Sequence, residues 1–167
     1  FTTVSLLAAI GWVALALILW THLGYPILAF VWSKLLPRQI HAADIEPFVA
    51  LVIAAHNEAD VIEAKIENAL ALDYPSERLR IIVTSDASDD GTDELVERYS
   101  SQGIELVRAE RGGKVNAQDT AVRALGDWPD LIAFSDANCA WEPEALRRLV
   151  RPFADDRVAY VCGRLSL

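Results

Sequence analysis

The sequence predicts an α/β fold, a mainly parallel sheet with helices on both faces, preceded by an amino-terminal transmembrane helix. Three observations carry that prediction. Five short apolar runs of strand length are separated by segments whose apolar residues recur at helical spacing. Each of the first four runs ends in a cluster of polar and charged residues. The first 33 residues contain no Asp, Glu, Lys or Arg.

The apolar segment comes first in the chain. "VSLLAAIGWVALALILW" is nearly continuous in Val, Leu, Ile, Ala and Trp, and a membrane-spanning helix needs roughly 20 such residues. The stretch continues through "THLGYPILAFVWSKLL". There Pro26 removes a helix hydrogen bond and crowds the preceding turn, so the segment reads as one long kinked span or as a span followed by an interfacial helix. Trp12, Trp20, Tyr25 and Trp32 suit headgroup depth, where amphipathic rings are favoured, and Trp12 equally suits a position facing lipid or protein. A cleaved signal peptide would show an apolar core of about 7–15 residues behind a basic stretch. The sequence shows neither, so the anchor is read as uncleaved. Lys34, Arg38 and His41 follow the apolar run, and positive charge beside a span favours the cytoplasmic side of a cell (inner) membrane. The expected organisation is an anchor over 1–36, a linker over 37–47, and a domain over 48–167 that faces the cytoplasm.

That domain is acidic. All 24 Asp and Glu residues lie from Asp44 onward, against 13 of the 15 Lys and Arg. Nucleic-acid binding relies on neutralising phosphates with basic residues, so no nucleic-acid partner is expected. The two cysteines, Cys139 and Cys162, lack metal-ligand spacing, and a cytosolic location keeps them reduced.

The elements follow in order. "FVALVIAA" (48–55) is an apolar run of the kind found in strands buried on both faces. In "NEADVIEAKIENALALDYP", Ile62, Ile66, Ala69 and Leu70 recur at helical spacing before Tyr74-Pro75 stops the helix. "LRIIVTS" is the second strand and ends at Asp86. Gly91-Thr92 opens a helix with Leu95, Val96 and Tyr99 on one face, and Gly103 closes it. "IELVRAE" is the third strand, "GKVNAQDTAVRAL" a helix, "DLIAFSD" the fourth strand, "EPEALRRLVRPF" a helix and "VAYVCGRL" a fifth strand. Short strand–helix–strand spacings imply right-handed crossovers, and such sheets collect ligands beyond the carboxyl ends of their strands.

The polar clusters fall at those ends. They are His56-Asn57-Glu58, then the run from Ser85 to Thr92, then Arg108 to Lys114, and then Ser135-Asp136-Ala137-Asn138. Asn57, Glu58, Asp90 and Thr92 also suit plain helix capping. Asp86 lies too early for that and is read as a ligand residue. "RGGK" is not a Walker A loop, and no GxGxxG follows the first strand. Carboxylates and a lysine converging on one point suit a nucleoside diphosphate with Mg²⁺ or Mn²⁺, ions that take one or two carboxylates plus phosphate oxygens. A carboxylate facing a nucleobase can also accept its ring N–H.

"VIAAHNEADVIEAKIENALALDYP", "IIVTSDASDDGT", "RGGKVNAQDTAV" and "AFSDAN" fall in order like the motifs of family 2 glycosyltransferases, the membrane-associated, polysaccharide-synthase-like kind. The resemblance covers most of 48–167. It implies a GT-A fold whose amino-terminal half binds a UDP-sugar or related nucleotide sugar, for transfer to a glycan or lipid-linked acceptor. By that resemblance Ala54, Ala55 and Glu58 line the nucleotide and Asp86 contacts the base. Lys114 approaches the diphosphate, and Asp136 and Asn138 stand at the DxD position beside Mg²⁺ or Mn²⁺.

The sequence departs from that pattern in two places. The second Asp of DxD is Asn138, whose amide oxygen can ligate a cation without contributing charge. His56 stands where Tyr is common in this family. The family's acidic general base is expected beyond Leu167, so no catalytic base is assigned in 1–167. Two other readings compete: a nucleotidyltransferase or other nucleotide-using α/β domain, and a non-catalytic nucleotide-sensing or partner-docking module on a degenerate transferase fold.

Overall fold

The computed structural model describes residues 2–36 and 39–164. The chain divides into two compact units between Ile40 and His41.

In the first unit, helix α1 (Thr2–Leu19) runs into a π-helical turn (Trp20–Gly24) and then helix α2 (Tyr25–Leu35). Pro26 has no N–H, and its ring would crowd the carbonyl four residues earlier in a regular α-helix. The π turn widens the ladder immediately before that point, with the Tyr25 N–H donating to the Trp20 carbonyl. The helix therefore continues through Pro26. A Cβ at Gly24 would lie 2.6 Å from the Trp20 ring, so glycine is what lets that indole lie against the widened turn. The His22 Nδ1 is 3.0 Å from the Ile18 carbonyl, which satisfies one ring nitrogen within the helix. Residues Ser5–Leu35 form one helix of 31 residues, long and apolar enough to cross a membrane, with its side chains exposed. At about 1.5 Å per residue this exceeds the ~30 Å hydrocarbon core. Arg38 lies outside the described residues.

The second unit is a four-stranded parallel sheet of β1 (Val49–Ala55), β2 (Leu79–Asp86), β3 (Ile104–Ala109) and β4 (Leu131–Asp136), in the order β3-β2-β1-β4. β1 is central and almost wholly buried, as its unbroken apolar run requires. Its alternation divides the core in two. Val49, Leu51, Ile53 and Ala55 face α3 (Ile62–Leu70), α4 (Thr92–Glu97) and α6 (Ala145–Val150), meeting Ile62, Ile66, Val96, Leu146 and Val150. Ala50 and Val52 face Ala121 and Leu125 of α5 (Gly113–Leu125). Burying each large aliphatic side chain contributes about 1.5–3 kcal/mol, so helices cover both faces for the reason the strand pattern predicts.

Two expectations are corrected. The helices are shorter than their apolar patterns: α3 starts at Ile62 rather than near Asn57, and α4 ends at Glu97 before a 3₁₀ turn at Ser100–Gln102. The expected fifth strand is absent among the described residues, since 158–164 make no ladder. A strand needs a partner for its backbone groups. Upstream of this segment the chain is turned by Asp155, which accepts from the Arg157 N–H at 3.1 Å and its Nε at 2.8 Å, while Tyr160 stays 82% exposed.

Candidate active site

Chain order gives the site its place. β1, β2 and β3 are laid down in one direction, and the chain then crosses back to add β4 on the other side of β1. This reversal is a topological switch point, which opens a crevice at the carboxyl ends of the strands. The register brings Ala54 beside both Thr84 and Asp136, and Ala55 beside Ser85. A cleft of about 240 Å³ lies there, lined by Ala54, Ala55, His56, Glu58, Asp86, Lys114, Ala117, Asp136 and Asn138. All seven sequence-predicted residues thus share one cleft. His56 and Ala117 complete the lining.

At the end of β2, Asp86 is 3% exposed. Its Oδ1 accepts the Gly112 N–H at 2.8 Å, and the Gly113 N–H is shared between Oδ1 at 3.1 Å and Oδ2 at 3.0 Å. Arg111 Nη1 lies 3.3 Å from Oδ2. The carboxylate therefore holds the Arg111-Gly112-Gly113 loop at the start of α5. Charge-assisted bonds of this kind are stronger than neutral ones. Gly113 has φ +81, a left-handed conformation that disfavours any side chain. Asn116 closes the loop from the other end, its Nδ2 donating to the Glu110 carbonyl at 2.9 Å. Thr84 Oγ1 donates to the Ala117 carbonyl at 2.9 Å, pinning α5 against β2.

The two loops after β1 and β2 are tied to each other. Asn57 and Asp89 exchange two hydrogen bonds, Nδ2 to Oδ1 at 2.8 Å and Asp89 N–H to the Asn57 Oδ1 at 3.0 Å. The Glu58 N–H donates to Thr92 Oγ1 at 2.9 Å, and the Ala59 N–H to Asp90 Oδ2 at 2.9 Å. Asp90 also accepts from the Thr92 hydroxyl and N–H, and with the Ala59 N–H these bonds hold its carboxyl below the usual range. Asn57 (φ +55) and Ala87 (φ +51) take left-handed backbone angles, a conformation uncommon outside glycine. Asp90 thus bonds the N–H of Thr92 at the head of α4, the local role its residue type predicts, and it also bridges the loops. His56 Nδ1 lies 2.9 Å from the Asp86 carbonyl.

The end of β4 is different. Asp136 and Asn138 are exposed, and the Asp136 carboxylate pairs with Lys114 from α5, both side chains being about half exposed. Asp136 and Asn138 present oxygen donors of the kind Mg²⁺ and Mn²⁺ take. Among the described residues no group of three or more His, Cys, Asp and Glu is placed to hold a metal. The donor set therefore fits an ion that shares its ligands with phosphate oxygens.

The sequence reading missed what lies beneath this turn. Lys65 of α3 is 3% exposed, and its Nζ donates to Ser135 Oγ at 2.7 Å and to the Cys139 carbonyl at 2.6 Å. Burial pushes its pKa down, opposed by Cys139 and Asp136 nearby. One turn on, Asn68 exchanges bonds of 2.8 Å with both the N–H and the carbonyl of Trp141. A signal was present: Lys65 occupies the same helix face as Ile62, Ile66 and Ala69, where an apolar residue is the rule.

A model of the glycosyl transferase family 2 domain matches residues 50–166. Glycosyltransferase AglE of Haloferax volcanii is 27% identical over 123 residues, which span 72% of this chain and 40% of that protein. The succinoglycan biosynthesis protein ExoO of Rhizobium meliloti is 35% identical over 113 residues, 65% of this chain and 30% of that protein. Among solved structures, a mannosyltransferase from Pyrobaculum calidifontis in complex with GDP-Man and Mn²⁺ matches with a TM-score of 0.71 and 31% identity, over 87% of this chain and 45% of that one. The chain spans less than half the length of each of these relatives.

Proposed function

This chain belongs to glycosyl transferase family 2, and on that premise we propose that its cleft binds the nucleoside diphosphate of a nucleotide-sugar donor, a UDP-sugar, for transfer to a glycan or lipid-linked acceptor. The observation that supports this reading best is the convergence of Asp86, Lys114, Asp136 and Asn138 on one crevice at the switch point.

Each residue has a part. Ala54, Ala55 and Glu58 wall the nucleoside side of the cleft, and Asp86 faces the base while anchoring the Arg111–Gly113 loop beside it. Lys114 exchanges its pairing with Asp136 for the incoming diphosphate, offsetting phosphate charge. Asp136 and Asn138 would hold Mg²⁺ or Mn²⁺, which when bound supplies positive charge against the diphosphate leaving group. In the transfer, the bond from the anomeric carbon to the diphosphate oxygen breaks and a bond to an acceptor hydroxyl oxygen forms. The hydroxyl proton passes to a general base, a role given to no residue of 1–167. Lys114, aimed at the oxygen where negative charge builds, favours the broken-bond state over the ground state. Ser5–Leu35 anchors the protein in the membrane with residues 41–167 on the cytoplasmic side. Asn138 favours the second reading, a nucleotide-sensing module.

The test is calorimetric titration of UDP, with GDP alongside, into the whole chain in detergent micelles with and without Mn²⁺. UDP binding strengthened by Mn²⁺ is the expected result. Stronger GDP binding would reassign the nucleotide, and binding of neither nucleotide would overturn the reading. UDP binding indifferent to Mn²⁺ would favour the sensing module.

A further inference from the structure

The geometry points to Lys65 as a positioning residue for the β4 turn: from beneath, it fixes the backbone that presents Asp136 and Asn138 to the cation and diphosphate. This rests on the donor-site reading above and gives a part within it to a residue that lies inside the first of the family motifs but is assigned no role there.

Burying Lys65 carries a cost. An ammonium removed from water is expensive unless its donors are satisfied, and among the described residues no carboxylate is bonded to Lys65 Nζ. Its hydrogen bonds go to the Ser135 hydroxyl, the residue before Asp136, and to the Cys139 carbonyl, the residue after Asn138. The two acceptors bracket the three residues of the turn. The Trp141 ring lies 5.4 Å from Nζ, giving the charge an aromatic face on another side. Asn68, on the next turn of the same helix, holds the Trp141 backbone through both its N–H and its carbonyl. Two side chains of α3 thus clasp the chain from 135 to 141. In the same turn Ala137 is 4% exposed and points inward, while Asp136 and Asn138 are exposed, so the clasp sets which side chains face the cleft.

Electrostatics alone predicts the opposite effect. A cation under a metal site repels the metal, so removing Lys65 would strengthen metal binding if charge were its whole contribution. Positioning predicts weakening, because groups that orient a metal's ligands typically matter about 10- to 100-fold in metal affinity.

The experiment compares wild type, Lys65→Met and Ser135→Ala in the whole chain in detergent. UDP affinity is measured by calorimetry without metal and with saturating Mn²⁺, and Mn²⁺ binding is followed independently by electron paramagnetic resonance in the presence of UDP. For Lys65→Met the expected result is metal-free UDP affinity within about twofold of wild type, with the Mn²⁺-dependent gain reduced about tenfold. Ser135→Ala, which removes one acceptor and little volume, keeps the inference testable if Lys65→Met fails to fold, and is expected to lose about threefold of that gain. An unchanged or increased Mn²⁺ gain in Lys65→Met, or in Ser135→Ala if only that variant folds, overturns the inference. So does an equal loss of metal-free and Mn²⁺-dependent affinity, the mark of a merely structural residue. In the wild type, binding of neither UDP nor GDP overturns the donor-site reading itself, and UDP binding without any Mn²⁺ gain favours the sensing module and overturns this inference with it.

Discussion

Asp86 and Asp136 end the two strands that flank β1 and face one cleft, yet one is saturated and the other open. Asp86 is buried and accepts two backbone amides with a guanidinium beside it. Asp136 is half exposed and holds one lysine. The difference shows two carboxylates in one crevice with different surroundings. The one at the end of β2 is committed to holding the Arg111–Gly113 loop, and on the proposed reading the one at the end of β4 trades its lysine partner for a ligand.

The largest effect that would sharpen this contrast is expected from Asp86→Ala. It strands the Gly112 and Gly113 amides, and a loss of about 3 kcal/mol in folding stability follows from the broken charge-assisted bonds. Thermal unfolding followed by circular dichroism reads it, and a melting temperature equal to wild type would break the comparison. Asp136→Ala is expected to leave stability within about 0.5 kcal/mol, because half-exposed pairs contribute little. It should nevertheless remove the Mn²⁺-dependent gain in UDP affinity, about tenfold or 1.4 kcal/mol, in the same calorimetric titration. A third step is Gly113→Ala, where a side chain at φ +81 costs about 1 kcal/mol and shifts the loop that Asp86 holds. Here stability and metal-free UDP affinity fall together while the Mn²⁺ gain persists. The smallest change is Asn138→Asp. A second charge at the open end should raise Mn²⁺ affinity about threefold with UDP bound, read by electron paramagnetic resonance.

The same contrast explains what the sequence made legible. Strand positions and the two-faced core follow from period and apolarity, since the residues of β1 alternate between two helix layers whatever the rest of the chain does. The site was legible for a related reason: in a parallel sheet, the end of each strand is also where ligands meet it, so polar clusters after apolar runs mark the crevice. What stayed hidden depends on contacts between distant segments. That Asp86 is spent on Gly112 and Gly113 depends on where the loop before α5 folds back. Lys65 stands on the apolar face of its helix pattern, but what its ammonium meets there appears only when α3 is laid beneath the β4 turn. Among the described residues the fifth strand does not form, because a suitable apolar pattern is not enough without a neighbouring ladder.

The most direct test of the account is a crystal structure of the whole chain, grown with UDP and Mn²⁺. The predicted result is the diphosphate at Lys114, Mn²⁺ at Asp136 and Asn138, and Asp86 still bonded to the Gly112 and Gly113 amides. A nucleotide bound outside this cleft, or Mn²⁺ bound without Asp136, would contradict it.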